Sequence, residues 1–542
     1  MPVSRCLVQY YLHNRAIMWR GAGKRFMGRS REHSESNKMQ QAVFSSLNAN
    51  MAFMEETIGH SFDAKFRRFV LNRGIGPQAG VVFIDGLTNE DILHRDILRP
   101  LMLDILPPLA GQPSRDPEDI DPIAEISAHL LLVAEIETTN TFGDVLEAVF
   151  SGDTVLFVDG SATALLINTK GWTTRSIENP DSESDIRGPR DAFNEDLLTN
   201  VTRLRRRIKD PAFHCESMVI GVRTHTRVAL VFLQDRVNPK VLRQVRDTLQ
   251  SIEIDSVIDS GYLQELLQGR RWSIFPLMQS TERPDRASAA LLEGRIVIIV
   301  DNSPFALILP AVLASMFQAA GDYYHSSPIG TFLRIIRVIG WILGLFLPGL
   351  YVALSSVNPE VMTPTLAMAL AASREGVPYP AIFEVLVMDI AIELLAEAST
   401  RLPAIIGGAA TLVGGLIIGS AAVEANIISS TMIIIVAVTA IGLFTIPNYE
   451  MGLAWRIAKY LITVSAALFG LFGIANAFII LVIYLSSLRS FGQPYLSPVG
   501  PYRPGDYEDF ILRAPWWRLT PTSRTFDTEP QPPNDDSGKG GS

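Results

Sequence analysis

Hydrophobic and polar residues are sorted along this chain in two different ways. Over residues 60–310, short aliphatic and β-branched runs alternate with amphipathic stretches of helical period. Over residues 333–488 the apolar runs lengthen, and only fourteen Asp, Glu, Lys or Arg occur in 156 residues. Four stretches there, 335–355, 404–423, 427–447 and 460–487, are long enough to cross a hydrocarbon core, which takes roughly 20 helical residues. The last has Gly470 and Gly473 as sites for a kink. A fifth apolar stretch, 381–400, carries Glu384, Asp389, Glu393 and Glu397. Four carboxylates are too costly for a lipid-facing span, so a helix of another kind is expected. Four spans return both polar ends to one side, and Arg334, Arg337, Arg489, Arg503, Arg513 and Arg518 make that side the cytoplasm. Arg456 and Lys459 fit this poorly. Counting the acidic helix as a fifth span would move the tail to the other side.

The mixed region contains a repeat. GDTVLFVDGSATALLIN at 152–168 and GRIVIIVDNSPFALILP at 294–310 share seven of seventeen positions. Each places Asp-Gly or Asp-Asn between two apolar runs, and these pairs tolerate the positive φ of a tight hairpin turn. A shorter echo is GVVFIDGLT at 80–88. Helical patterns lie between the copies, with Asn89 and Asn238 as N-caps, the latter followed by Pro239 at the first helical position. Residues 296–319 are apolar enough for a span, but the Asp301-Asn302-Ser303-Pro304 turn would leave backbone groups unpaired in hydrocarbon. They are therefore assigned to the soluble part.

The expected fold is an α/β bipartite soluble domain plus an α-helical polytopic membrane domain of about four to five spans. Its parts are a basic leader without structure (1–55), two α/β subdomains (56–118 and 119–325) dividing near 113–122, the membrane domain (326–490), a juxtamembrane anchor (491–520) and a disordered tail (521–542).

Composition agrees. The chain has 542 residues, 48% hydrophobic and 19% charged, with a mean hydropathy of +0.21. A net charge of -9 argues against nucleic acid as a partner. Two cysteines, Cys6 and Cys215, exclude a disulfide framework. Residues 1–31 carry seven basic side chains and no acid, without the apolar core of a signal peptide, and could lie on anionic lipid. Gly21-Ala22-Gly23-Lys24 lacks the rest of a phosphate-binding loop, no H-E-x-x-H or G-x-S-x-G occurs, and the eight histidines show no ligand spacing. No enzyme, cofactor or metal is expected.

Candidate chemistry therefore concentrates in the apolar region. Asp389, Glu393 and Glu397 recur every four residues and share one helical face; repeated around an oligomer they would form carboxylate rings that attract cations. The competing reading is an amphipathic helix at the membrane surface. Asn476 sits among small residues in the last span, suited to an interhelical hydrogen bond or to lining a pore. Glu424 falls between two spans, at an interface or inside the bundle. Trp516, Trp517 and Arg518 read as an interfacial anchor, and Arg205-Arg206-Arg207-Ile208-Lys209 as a solvated helix face.

A dozen collinear stretches carry a family resemblance, among them FIDGLTNEDILHRDILRPLM, RSIENPDSESDIRGPRDAF, TERPDRASAALLEGRIVIIVD, LPGLYVALSSVNPE, TIPNYEMGLAWR, FGQPYLSPVGP and ILRAPWWRL. From about Phe62 to Leu519 the chain resembles the A subunits of the GerA family of nutrient germinant receptors from endospore-forming bacteria. The resemblance implies an integral protein of the spore inner membrane, its soluble domain on the cytosolic side. It implies action with a transporter-like B subunit and a lipoprotein C subunit, and a homo-oligomer conducting cations in spore germination. A related subunit encoded with the dipicolinate-release machinery shares the architecture, and the basic leader lies outside the resemblance. A secondary transporter of a small nutrient and a membrane-anchored scaffold are the alternatives. The absence of an evident inverted repeat counts against the transporter.

Overall fold

The structure is a computed structural model that describes residues 41–103, 131–171, 180–402 and 419–502, apart from 75, 134, 181, 182, 184 and 269–271, together with 123, 126, 127, 414, 415, 507, 509–516 and 526. The basic leader through residue 40, the 113–122 divide, most of the 404–423 stretch, Trp517, Arg518 and nearly all of the 521–542 tail lie outside the described residues. The chain forms two compact units that part at residues 172 and 173, later than the expected 118, with 209–211 joining the first.

In the first unit, β1 (Ala64–Val70), β2 (Gln78–Ile84), β3 (Ile136–Thr139), β4 (Thr154–Val158) and β5 (Ala164–Ile167) form an antiparallel sheet in the order β1-β2-β4-β5-β3. Because β3 to β5 belong to this sheet, the later boundary follows directly. Every residue of β4 is buried. Val155 and Phe157 face α1 (Leu47–Ile58) and α3 (Phe142–Ser151), whereas Leu156 and Val158 face α2 (90–103). Two covered faces explain why β4 reads as a continuous apolar run.

The second unit repeats the plan. Strands β6 (Phe213–Ile220), β7 (Thr226–Leu233), β8 (Gln279–Thr281), β9 (Ile296–Val300) and β10 (Ala306–Leu309) pair in the order β6-β7-β9-β10-β8. They pack with α4 (Leu197–Arg205), α5 (Pro239–Gln250), α6 (Ser260–Leu267) and α7 (Pro284–Leu292). The two repeats are the β4-β5 and β9-β10 hairpins, so residues 296–309 belong to this sheet. Their turns are five residues long rather than two. Gly160 and Asn302 hold φ 91° and 67°, and each preceding aspartate has a second task. Asp159 Oδ1 accepts from Leu47 N (2.9 Å) at the start of α1, and Asp301 Oδ1 from Leu197 N (3.3 Å) at the start of α4. Asn50 and Asn200 duplicate each other too, each bonding both backbone groups of the residue six earlier. Asn89 and Asn238 cap helices as expected. Arg205, in contrast, is buried, its guanidinium 4.5 Å from the Phe213 ring centroid, so the 205–209 run is not a uniformly solvated face.

The second unit continues into the helical region: α8 (Ser327–Val352), α9 (Pro364–Ser373), α10 (Ala381–Arg401), α11 (Ser430–Phe444) and α12 (Tyr449–Ser487). Residues 327–357 and α12 are long and apolar enough to cross a membrane. α12 is not straight. The Phe275 ring lies 4.9 Å from Trp455 and 6.2 Å from Tyr484, two residues that a straight helix would hold about 43 Å apart. The chain reverses at Gly470 (φ 61°, ψ -141°), a conformation only glycine adopts readily. Asn358 Oδ1 accepts from Leu471 N (3.0 Å) and caps the returning limb. The stretch expected as one span at 460–487 is thus the middle and end of a helical hairpin with limbs 449–469 and 471–487.

Side-chain contacts give the directions of α8 and α11 around this hairpin. Trp341 meets Trp455 (5.0 Å) and Phe346 meets Phe478 (5.2 Å), so α8 runs parallel to the first limb and antiparallel to the second. Gly340 lies against Gly442 and Tyr351 Oη is 3.2 Å from Ser429 Oγ, so α11 runs antiparallel to α8. Both ends of the hairpin return to the second sheet. Glu450 accepts from Gln264 Nε2 (2.6 Å), and Ser490 Oγ donates to Leu277 O (2.6 Å). The chain just after the second limb therefore lies beside the second sheet.

Candidate functional site

Helix α10 begins after Pro380, whose extended backbone (φ -67°, ψ 153°) turns the chain into it. Its carboxylates are not alike. Glu384 is fully buried, accepting from Arg374 Nε (3.1 Å) and from Ser429 N (2.9 Å) at the start of α11. Asp389 Oδ1 lies 3.1 Å from Lys459 Nζ, both side chains under 5% exposed, and Asp389 Oδ2 has no hydrogen-bond partner. Glu393 Oε2 lies 2.8 Å from Arg456 Nη1. Glu397 pairs with Arg401 on its own helix, both exposed.

These pairs explain the two cations that suited no simple topology. Positions 456 and 459 of α12 meet 393 and 389 of α10, so the helices run antiparallel with the pairs one turn apart. The signal was present in the sequence as an i, i+3 cation pair within apolar residues opposite an i, i+4 acid pair, but nothing local said that the two face each other. Two expectations change. Within one chain Asp389 and Glu393 are compensated carboxylates, not an open acidic row. Glu384 and Asp389 are also nearly fully buried, so these two acids of α10 do not face solvent.

The other candidates are dispersed. Asn476 is exposed on the second limb and donates to Phe472 O (2.9 Å) of its own helix, and among the described residues no interhelical bond from it is seen. Glu424 is exposed just before α11, at the end opposite the sheet. Trp516 is exposed, 5.4 Å from the Arg513 guanidinium. Among the described residues no group of His, Cys, Asp and Glu is placed to hold a metal.

A second charged cluster, not anticipated, sits where α8 leaves the second sheet. Asp322, 1% exposed, receives Arg334 Nε (3.2 Å), Arg337 Nη1 (2.9 Å) and Arg337 Nη2 (3.1 Å). Arg334 Nη1 also reaches Asp509 Oδ1 (2.8 Å), which accepts from Tyr323 Oη through its other oxygen (2.6 Å). Arg513 donates to His325 O (3.0 Å) and Tyr323 O (3.3 Å). Burial opposes ionisation of Asp322, but the Arg337 hydrogen bonds and the charges of both arginines outweigh it and hold the carboxyl below its usual range. Arg334 and Arg513, counted above as flanking charges that assign sidedness, are therefore buried, and with the partly buried Arg337 they are committed to protein partners.

Comparison with known proteins adds an independent line. Residues 52–524 match the family described as "Bacillus/Clostridium GerA spore germination protein". The chain is similar to spore germination protein KA of Bacillus subtilis, 36% identical over 472 residues that cover 87% of this chain and 85% of that one. It is also similar to the uncharacterized membrane protein YfkQ of the same organism, 36% identical over 464 residues, 86% of this chain and 88% of that one. A crystal structure of the N-terminal domain of the A subunit of the Bacillus megaterium spore germinant receptor GerK3 is 30% identical, covering 50% of this chain and 98% of that one, with a TM-score of 0.39.

Proposed function

Because the chain belongs to the GerA family of spore germination proteins, we propose that it is a non-enzymatic A subunit of a nutrient germinant receptor, which oligomerises and conducts cations across the spore inner membrane. The observation that carries the reading is the pair of charged contacts, Asp389 with Lys459 and Glu393 with Arg456, between two largely apolar helices. Ionisable groups at such depth are expensive, and they mark ion or proton pathways. α8, α10, α11 and the two limbs of α12 are the proposed crossings among the described residues, with both polar ends on one side. That side is proposed to be the cytosolic core. A transporter-like B subunit would bind the nutrient, and a lipoprotein C subunit would complete the receptor.

The exposed Asn476 then faces lipid or a second copy, and Glu424 lies at the outer mouth. Full-length protein reconstituted in liposomes is expected to pass K⁺ without saturable, coupled uptake of a nutrient. Coupled uptake would identify a transporter, and no flux would leave a scaffold. For sidedness, a cysteine at Glu360 is expected to react with an impermeant maleimide added outside, and one at Arg489 is not.

A further inference from the structure

The two halves of α10 are held by different forces. Ala381, Glu384, Val385, Met388 and Asp389 are buried, the apolar ones in a cluster with Tyr351, Val352, Met432 and Val436. Beyond Asp389 no residue of α10 is buried, and Ile390 and Leu394 are 53% and 66% exposed. Ile392 is partly buried against the same cluster, and the ion contacts with the first limb of α12 fall at the boundary, Asp389 with Lys459, and in the second half, Glu393 with Arg456. They are also less complete than a structural lock would be, because Lys459 meets one oxygen of Asp389 and leaves the other unpartnered.

We infer that Lys459 and Arg456 are the charge-setting residues of the proposed path: they latch the second half of α10 against α12 and cancel Asp389 and Glu393, and release of the latch uncovers those carboxylates to cations. The inference rests on the conduction reading above and adds residues and a control step to it. A buried carboxylate stripped of its cation attracts another, and in a narrow apolar passage that attraction is screened weakly. A passage lined by Lys459 against Asp389 has no net sign, whereas one lined by Asp389 alone favours cations.

The test uses the full chain in liposomes, with K⁺ and Cl⁻ permeability read from flux and reversal potential. Lys459→Gln is expected to raise resting K⁺ leak several-fold and shift selectivity further toward K⁺. Asp389→Asn is expected to shift it toward Cl⁻, and the double variant to return near the parent. Lys459→Gln with unchanged leak and unchanged reversal potential would overturn the inference. Should that variant fail to accumulate, Arg456→Gln at the more exposed pair is expected to act in the same direction more weakly, and no effect there would count against it equally. Hydrogen exchange separates this inference from the conduction reading. Lys459→Gln is expected to speed exchange at 390–401 and not at 381–388, even if no form conducts. Unchanged exchange at 390–401 would show that the pairs are not a latch.

Discussion

Among the buried charges of the described residues, two groups involve the helical region, and they differ in how many partners each charge meets. Where α8 leaves the second sheet, Asp322 is met by two arginines, and Arg334 also reaches Asp509 and Phe510 O (3.3 Å). Inside the bundle, Asp389 and Lys459 meet through one contact with an oxygen left over. Burying ions is worthwhile structurally only when their remaining hydrogen-bonding capacity is met. At the junction Arg334 Nη2 and Arg513 Nε also lack a partner, but several contacts per charge bind residues 322, 334, 337, 509 and 513 across nearly 200 positions of sequence, the character of a fixed joint. The bundle pairs have the character of a contact meant to open.

The largest effect is expected at the junction. Asp322→Ala leaves the buried Arg334 and the partly buried Arg337 beside a missing partner, a loss of about 3–5 kcal/mol for breaking a buried pair. Thermal unfolding of the detergent-solubilised protein should show it, and a variant as stable as the parent would erase the contrast between the regions. The junction should also be acid-sensitive. Because the folded pKa of Asp322 lies below its unfolded value of about 3.9, its contribution is complete above that value and is lost as pH falls through the folded one.

Gly470→Ala comes next. A Cβ there would overlap Asn358 Oδ1, and the backbone conformation disfavours any side chain, so about 1–3 kcal/mol is expected. Asn358→Ala, which removes the cap and an exposed hydrogen bond from Nδ2 to Glu360 Oε1 (3.1 Å), should cost about 1 kcal/mol. Equal stability of Gly470→Ala and the parent would mean a straight α12, and the pairing of α10 with its first limb would need revision.

Asp159→Ala and Asp301→Ala should each cost about 1 kcal/mol, because each removes the acceptor for a helix N-terminus. Their similarity, read from urea unfolding of the full chain, tests whether the two sheets are duplicates in energy as well as in topology. The smallest effect belongs to Glu397→Gln, whose exposed i, i+4 partner Arg401 contributes at most about 0.5 kcal/mol. A large stability loss there would show that the solvent-facing end of α10 is engaged after all.

The sequence by itself determined the local devices and the sorting of charge. The repeated Asp-Gly and Asp-Asn turns, the Asn89 and Asn238 caps and the apolar region all follow from dihedral preferences and side-chain chemistry that act over a few residues. Family membership was legible too, because its stretches run collinearly along the chain. Tertiary structure decided what depends on partners far apart in sequence. The boundary between the sheets moved because β3 closes onto β5, a pairing that no local pattern specifies. α12 folded back because a cap from residue 358 meets a glycine whose flanks read as one continuous span. The acidic face of α10 was visible as a period of four, but its neutralisation was not. That required two antiparallel helices to bring residues 389 and 459 within 3.1 Å, and register between distant helices is set by packing, on which the spacing of charges along one helix is silent.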